Sequence, residues 1–236
     1  MPQPYNPERQ QCNKGPTHAN RSKYDIICTA TYHRRDFGLT VIHSQNHPPS
    51  ATLGQLGSLP LEILYEICFL LDIQSLFNFR QVNRRARQTV ATVPSYRATI
   101  THALEALCAI LRTKIASWFT LSDLYNVLCA RDCTVCGSFG GYIFLPVFMR
   151  CCYGCIKEDR IPPVIPLAEA QRRLKRGAAH IYNLIPVVSG QLGIYSWLER
   201  EWKKKLRIVA EEHVSGISEY QNPNNNEPKR FAPIGV

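Results

Sequence analysis

Long apolar runs are missing from this chain. No segment approaches the roughly 20 consecutive apolar residues that a bilayer-crossing helix requires, so no membrane span is expected. The opening stretch, Met1 to Gln10, is polar and proline-containing and lacks the apolar core of a signal peptide. The expected setting is a soluble protein of the cytoplasm, the nucleus or both. Charge is also sparse, at 19% of 236 residues against 45% hydrophobic residues. That balance argues against wholesale disorder and allows one ordinary core or two small ones. Catalytic signatures are lacking as well. No Ser–His–Asp set, paired-carboxylate motif, phosphate loop or His-Glu-x-x-His segment stands out, and His102, His180 and His213 have no companion that suggests chemistry. Acidic residues are the scarcer sign, 18 against 28 Lys and Arg. The resulting net charge of +10 suits an anionic partner without specifying which. No internal repeat is present.

Cysteine, by contrast, is plentiful: ten residues, which in a reducing compartment point to core thiols or metal ligands rather than disulfides. Cys133-x2-Cys136 is followed after fifteen intervening residues by Cys152-x2-Cys155, a spacing typical of four-thiolate zinc sites. Two thiolates two residues apart chelate one ion from a tight turn, and a hairpin brings back the second pair. The text between them suits such a hairpin, with Tyr142, Ile143, Phe144, Val147 and Phe148 flanked by glycine-rich turns. Gly137 and Gly154 are expected to let the backbone curl around the ion. Four ligands with no open position make a structural site for one zinc ion, half of what a RING ubiquitin-ligase module needs. Cys151 is an alternative to Cys152 as ligand, and four reduced thiols in an apolar hairpin is the plainer reading. Cys68, Cys108 and Cys129 are expected to be buried thiols in helices. A second site from Cys28, His33, His43 and His47 follows no established ligand spacing.

The fold class expected is mainly α. Residues 1–50 carry no sustained period and read as largely disordered, although Ile26 to Ile42 has strand-like content. The first helix runs from Leu61 to Leu71, with Pro60 near its start. Its polar positions are Glu62 and Glu66, and Ile63, Leu64, Ile67, Cys68, Phe69 and Leu70 make the rest apolar nearly all round. Such a helix needs cover on more than one side, from the rest of the chain or from another protein. Asp72 fits the cap of a second helix and Asn83 that of a third, Arg84 to Val90. After Pro94 a longer helix carries Leu104, Leu107, Cys108, Leu111 and Ile115, and a shorter one spans Ser122 to Cys129. Two more are expected over Leu167–Tyr182 and Ser196–His213, before a polar tail through Asn222–Asn226. The basic runs Arg172-Arg173-Leu174-Lys175-Arg176 and Lys203-Lys204-Lys205 offer phosphate contacts or, more plainly, a solvated helix face interleaved with Glu199, Glu201, Glu211 and Glu212.

Leu59-Pro60-Leu61-Glu62-Ile63-Leu64, then Ile67, Leu71-Asp72-Ile73, Leu76 and Val82-Asn83-Arg84, together resemble an F-box, spanning Leu59 to Arg97. The common pattern continues after the Val with Cys or Ser and a nearby Trp, where this chain has Asn83, Arg84, Arg85 and Ala86. An F-box followed by an amphipathic helix and a CxxCG…CCxxC segment is similar to a group of fungal-type F-box proteins. The organisation expected is a disordered region over 1–52, the F-box over 53–97, a helical and four-cysteine zinc segment over 98–165, a helical region over 166–214 and a disordered tail over 215–236. The resemblance implies docking on a Skp-type adaptor, and through it on a cullin–RING ligase. Leu59, Pro60, Ile63, Leu64, Ile67, Leu76 and Val82 would be shared between that interface and the small domain's own core.

The function expected from this resemblance is non-catalytic: a substrate-recruiting subunit that holds an unknown target protein through its C-terminal part near ubiquitin-loaded machinery. A zinc-stabilised nucleic-acid-binding regulator is the alternative, and an F-box protein acting outside a ligase is a third possibility.

Overall fold

A computed structural model describes residues 52–191 and 205–220. The stretch 1–50, with its Cys28, His33, His43 and His47, the Asn222–Asn226 tail and Lys203–Lys204 lie outside the described residues. Among the described residues the fold is mainly helical, with two small antiparallel sheets.

A 3-10 turn at Gly54–Ser58 leads into α1 (Leu61–Leu70), α2 (Ile73–Val82) and α3 (Arg84–Thr92). The two expected caps make the corners. Asp72 Oδ1 accepts the Ser75 N–H and Asn83 Oδ1 accepts the Ala86 N–H, each at 2.8 Å. Each thereby satisfies a backbone donor that the first helical turn leaves without a partner.

The long helix expected after Pro94 is two helices, α4 (Pro94–His102) and α5 (Leu104–Arg112), broken at Ala103, whose backbone leaves the helical region (φ −143°, ψ 35°). The run Thr99-Ile100-Thr101-His102 is rich in β-branched residues that hold a helix poorly. The break lets Tyr96 and Thr99 on one helix and Leu107, Cys108 and Leu111 on the other all reach the interior. Ile115 lies beyond α5, yet is fully buried.

Helix α6 (Leu121–Cys129) opens on a reciprocal cap. Thr120 Oγ1 accepts the Asp123 N–H, and Asp123 Oδ2 accepts the Thr120 N–H. This start is stitched to the α1–α2 corner, where the Ile73 N–H donates to Phe119 O at 2.9 Å and the Leu121 N–H to Leu71 O at 3.1 Å. One apolar core therefore runs from Cys68, Ile73 and Leu76 through Leu107, Ile110, Leu121 and Leu124. Arg80, on α2, is buried in the same region with its guanidinium over the Tyr96 ring.

The expected hairpin is present as β1 (Tyr142–Phe144) and β2 (Met149–Cys151), with Ile143 opposite Arg150. In its turn, Phe148 takes a left-handed backbone (φ 55°) and stacks on Phe119 with centroids 3.9 Å apart, docking the hairpin on the helical core. A short helix α7 (Tyr153–Lys157) follows.

Beyond it the chain departs from the expected pair of helices. The first divides into α8 (Leu167–Leu174) and α9 (Ala178–Leu184), because Lys175 is left-handed (φ 51°) and the chain restarts at Gly177. In place of the second, β5 (Lys205–Ala210) is the middle strand of a sheet ordered β3 (Val164–Pro166), β5, β4 (Val188–Gln191), and α10 (Glu211–Tyr220) follows it. Two-residue alternation explains the difference: Leu206 and Ile208 alternate with Lys205 and Arg207 before a β-branched Val209. Helix α10 also extends beyond residue 215, where a disordered tail was expected to begin. The helices cover this sheet with a separate apolar cluster around Leu167, Leu174, Ile181, Ile185, Val209 and Val214.

Candidate metal centre and an uncovered helix face

Helix α1 meets the core along a narrow strip. Leu64 and Cys68, one turn apart, are buried, and Tyr65 and Phe69 are half-buried beside them. The opposite side carries Ile63, Ile67 and Leu70 at i, i+4 and i+7, preceded by Leu59 four residues earlier. All four are exposed, Ile63 by 47% and Leu70 by 65%. Pro60, Leu56, Leu61 and, at the end of α2, Val82 are also exposed. The described chain thus supplies only part of the cover that α1 requires. Of the seven residues singled out in the sequence, Leu64 and Leu76 go to the core, whereas Leu59, Pro60, Ile63, Ile67 and Val82 face outward. Leu56, Leu61 and Leu70 were missed, although the helical period from Ile63 points to Leu70.

The four cysteines of the spaced pairs come together, with all four Sγ atoms within 4.8 Å of one another. Zn–S bonds of about 2.3 Å place tetrahedral thiolates about 3.8 Å apart, and Cys136 Sγ and Cys152 Sγ are 3.6 Å apart. The first pair sits on a tight turn in which the Gly137 N–H donates to Cys133 O at 2.9 Å. Gly137 has φ +71°, a conformation a side chain would strain. Gly154 has no such need; it lies in α7, and its expected special role is not found. The second pair spans the start of α7, where Cys152 caps the helix by accepting the Cys155 N–H on Sγ at 3.4 Å.

The electrostatics favour the thiolate at Cys133 and Cys136 and oppose it at Cys155. Side-chain and backbone hydrogen bonds from Ser138 draw the Cys136 thiol down to about 6, helped by Cys155 and Cys152. Burial pushes Cys133 upward, but the backbone donors of Cys136, Val135 and Cys152 outweigh it and leave the thiol below its ordinary value. Burial, then the three neighbouring sulfurs, raises Cys155 to about 12. Four crowded sulfurs cannot all ionise without a central cation, and a cation there would displace the remaining protons. The cluster can hold a metal ion.

Cys151 is the residue the geometry leaves out. It is fully buried on β2, opposite Tyr142, and burial pushes its thiol to about 12. Cys68 and Cys108 are buried as expected, but Cys129 is exposed. It ends α6 and hydrogen-bonds Tyr125, whose phenol it pushes upward.

Two arginines of the first basic run are occupied with acids. Arg172 and Arg173 both pair with Glu169, and Arg173 reaches Glu211 on α10 at 2.5 Å. That arrangement matches a solvated helix face.

Residues 56–98 match the family model of the F-box domain. The match takes in the end of the 3-10 turn, α1 to α3 and the first half of α4, so the uncovered stripe lies within it. Comparisons with curated proteins and with solved structures give no match.

Proposed function

We propose that this chain is a substrate-recruiting subunit of a Skp–cullin–F-box ubiquitin ligase. It works in the cytoplasm or nucleus, makes no bonds itself and acts by proximity. The observation that carries the reading is the coincidence of the F-box match with an uncovered apolar stripe. F-box domains bind Skp-type adaptors that link to cullin ligases. Leu59, Pro60, Ile63, Ile67 and Val82 are the contact residues of this reading, while Leu64 and Leu76 hold the domain together behind them. Fully burying a Leu or Ile is worth about 1.5–3 kcal/mol each, so the stripe alone supplies a substantial share of an adaptor interface.

The residues of the cysteine cluster fit a zinc ion. Cys133, Cys136, Cys152 and Cys155 would hold it with no position left for a substrate, so its contribution is structural. It would fasten the β1–β2 hairpin and α7 to the helical body and so stiffen the target-presenting part. The CxxCG…CCxxC order after the F-box is similar to that of a group of fungal-type F-box proteins.

Co-expression with a Skp-type adaptor, followed by size exclusion, tests the reading. A one-to-one complex is expected, lost when Ile63 and Ile67 are both changed to Glu and kept when Glu62 is changed to Gln. A free monomer with no complex would overturn the proposal.

A further inference from the structure

Behind the F-box, between the helical layer and the hairpin, lies a cavity of about 650 Å³. It has a simple cause. Where the neighbouring turns of α5 fill the core with Leu107 and Ile110, the cavity wall carries Ala106 and Ala109 with Glu105, and Ala98 and Ala103 before them. Ile143 of the hairpin with Val164 and Ile208 of the sheet form apolar walls too. Its size and apolar lining are those of binding sites rather than packing defects.

Thr99, His102, Glu105 and Tyr125 add polar groups to the lining, and Arg150 is its one arginine. Arg150 projects from β2, its stem lying across Gly140, where an added Cβ would sit 2.8 Å from Arg150 Cγ. Its Nε donates to Ala130 O at 3.1 Å, which fixes the guanidinium plane and leaves the terminal nitrogens as a donor fork. Among the described residues no carboxylate pairs with it. Glu105 is the one carboxylate in the lining and is already engaged in an interaction of its own. Arg150 as a whole is half-buried and its Nε bond lies on the exposed side, so an occupant reaching the mouth of the cavity meets a guanidinium, and a carboxylate suits its fork in bidentate geometry.

The surface beside the cavity argues for a chain segment as occupant. Tyr142 belongs to the lining and also packs with Tyr153 outside it, centroids 6.4 Å apart. Both are exposed, and Phe139 is exposed by 67% on the same hairpin segment. Exposed aromatic clusters mark protein contact sites, and here they extend the cavity beyond what a small acid would cover.

We propose that the cavity captures the target protein, through a segment carrying an aromatic or branched aliphatic side chain beside a carboxylate. The side chain fills the space against Ala106 and Ala109, and the carboxylate pairs with Arg150. This deepens the recruiting-subunit reading and rests on it. The alternation of β2 adds a dependence: Met149 and Cys151 pack with the cysteine cluster while Arg150 faces the cavity. The metal centre therefore holds one wall of the binding site.

The test is selection of a phage-displayed library of random peptides on the full chain, alone and in complex with a Skp-type adaptor. Enriched peptides are expected to place Asp or Glu beside Phe, Leu or Ile. Arg150→Glu should exchange the acidic residue for Lys or Arg, Arg150→Lys should retain it, and Ala106→Trp should weaken the selected peptide more than tenfold. Thermal melts and metal content verify that each variant is folded. Enrichment without an acidic residue, the same peptides on Arg150→Glu, or no enrichment at all would overturn the proposal. So would octanoate binding as tightly as the peptide, which would make the site one for a free acid. Peptide selection without adaptor complex would sink the recruiting reading while leaving the cavity's chemistry standing. An intact complex without selection would sink the cavity alone.

Discussion

Helix α1 and the β1–β2 hairpin are both incomplete, in opposite ways. The helix has more apolar surface than the described residues cover, so Ile63, Ile67 and Leu70 are exposed among them while Leu64 and Cys68 anchor it. The hairpin is instead closed around sulfur: its buried set joins Cys133, Cys151 and Cys155 to Phe144, Val147 and Met149. In the proposed reading a protein would close the apolar surplus and an ion would close the sulfur cluster. The first would leave the fold intact when the partner is absent. The second would make folding itself conditional.

The strongest way to break this comparison is to take away the ion's ligands. Changing Cys133 and Cys136 together to Ser should abolish metal binding, worth about 10–16 kcal/mol in small zinc domains at neutral pH. The hairpin should unfold while the F-box core keeps its helices. Metal analysis with circular dichroism would register one zinc per chain lost alongside the hairpin's tertiary signal. A metal-free chain with an unchanged near-ultraviolet spectrum would show that the hairpin closes unaided.

Next in size is a contrast within α1 and α2. Leu76→Ala, at a fully buried position, should cost about 2–5 kcal/mol of folding stability. Ile63→Ala should change the free chain's stability by about 0.5 kcal/mol or less, yet weaken the adaptor complex by about 2 kcal/mol, some thirtyfold. Denaturant melts and titration calorimetry read the two effects separately. Equal losses of stability would mean that the stripe is covered by the chain after all.

A smaller effect separates the adjacent thiols. Cys152→Ser should remove the metal. Cys151→Ser should keep it at full occupancy and lose about 1–3 kcal/mol, because a hydroxyl replaces a protonated thiol in an apolar site. Metal stoichiometry after dialysis decides between them.

Much of this was legible in advance where one local interaction decides the outcome. Asp72 and Asn83 begin helices by bonds to their own neighbours, and the paired Cys-x2-Cys spacing restricts the ligand set before any tertiary contact is known. The breaks at Ala103 and Lys175 were not legible, since neither Gly nor Pro marks the residue that turns. Strand β5 was hidden for a related reason: its two-residue alternation is only six residues long, and its partners are 40 residues earlier at β3 and a separate strand at β4. The cavity was beyond reach because it consists of what four alanines leave unfilled.

The third apolar cluster gives the comparison a reference, a region that the chain closes by itself. Helix α10 covers the sheet and buries His213, and burial holds that imidazole below its ordinary pKa of about 6.5. The unfolded chain therefore binds the proton more tightly than the folded one. Stability should be constant above about pH 7 and fall as the pH drops through 6.5, by at most about 1.4 kcal/mol per pH unit. Neighbouring Glu212, raised by burial, acts with the opposite sign and favours the folded state as the pH falls toward its own titration. A Glu212→Gln background removes that opposing contribution and isolates the His213 effect between pH 7 and 6. His213→Gln should flatten the dependence of the melting temperature across that interval. Persistence of the slope in the variant would assign it to other groups and leave self-closure of this cluster without a cost at His213.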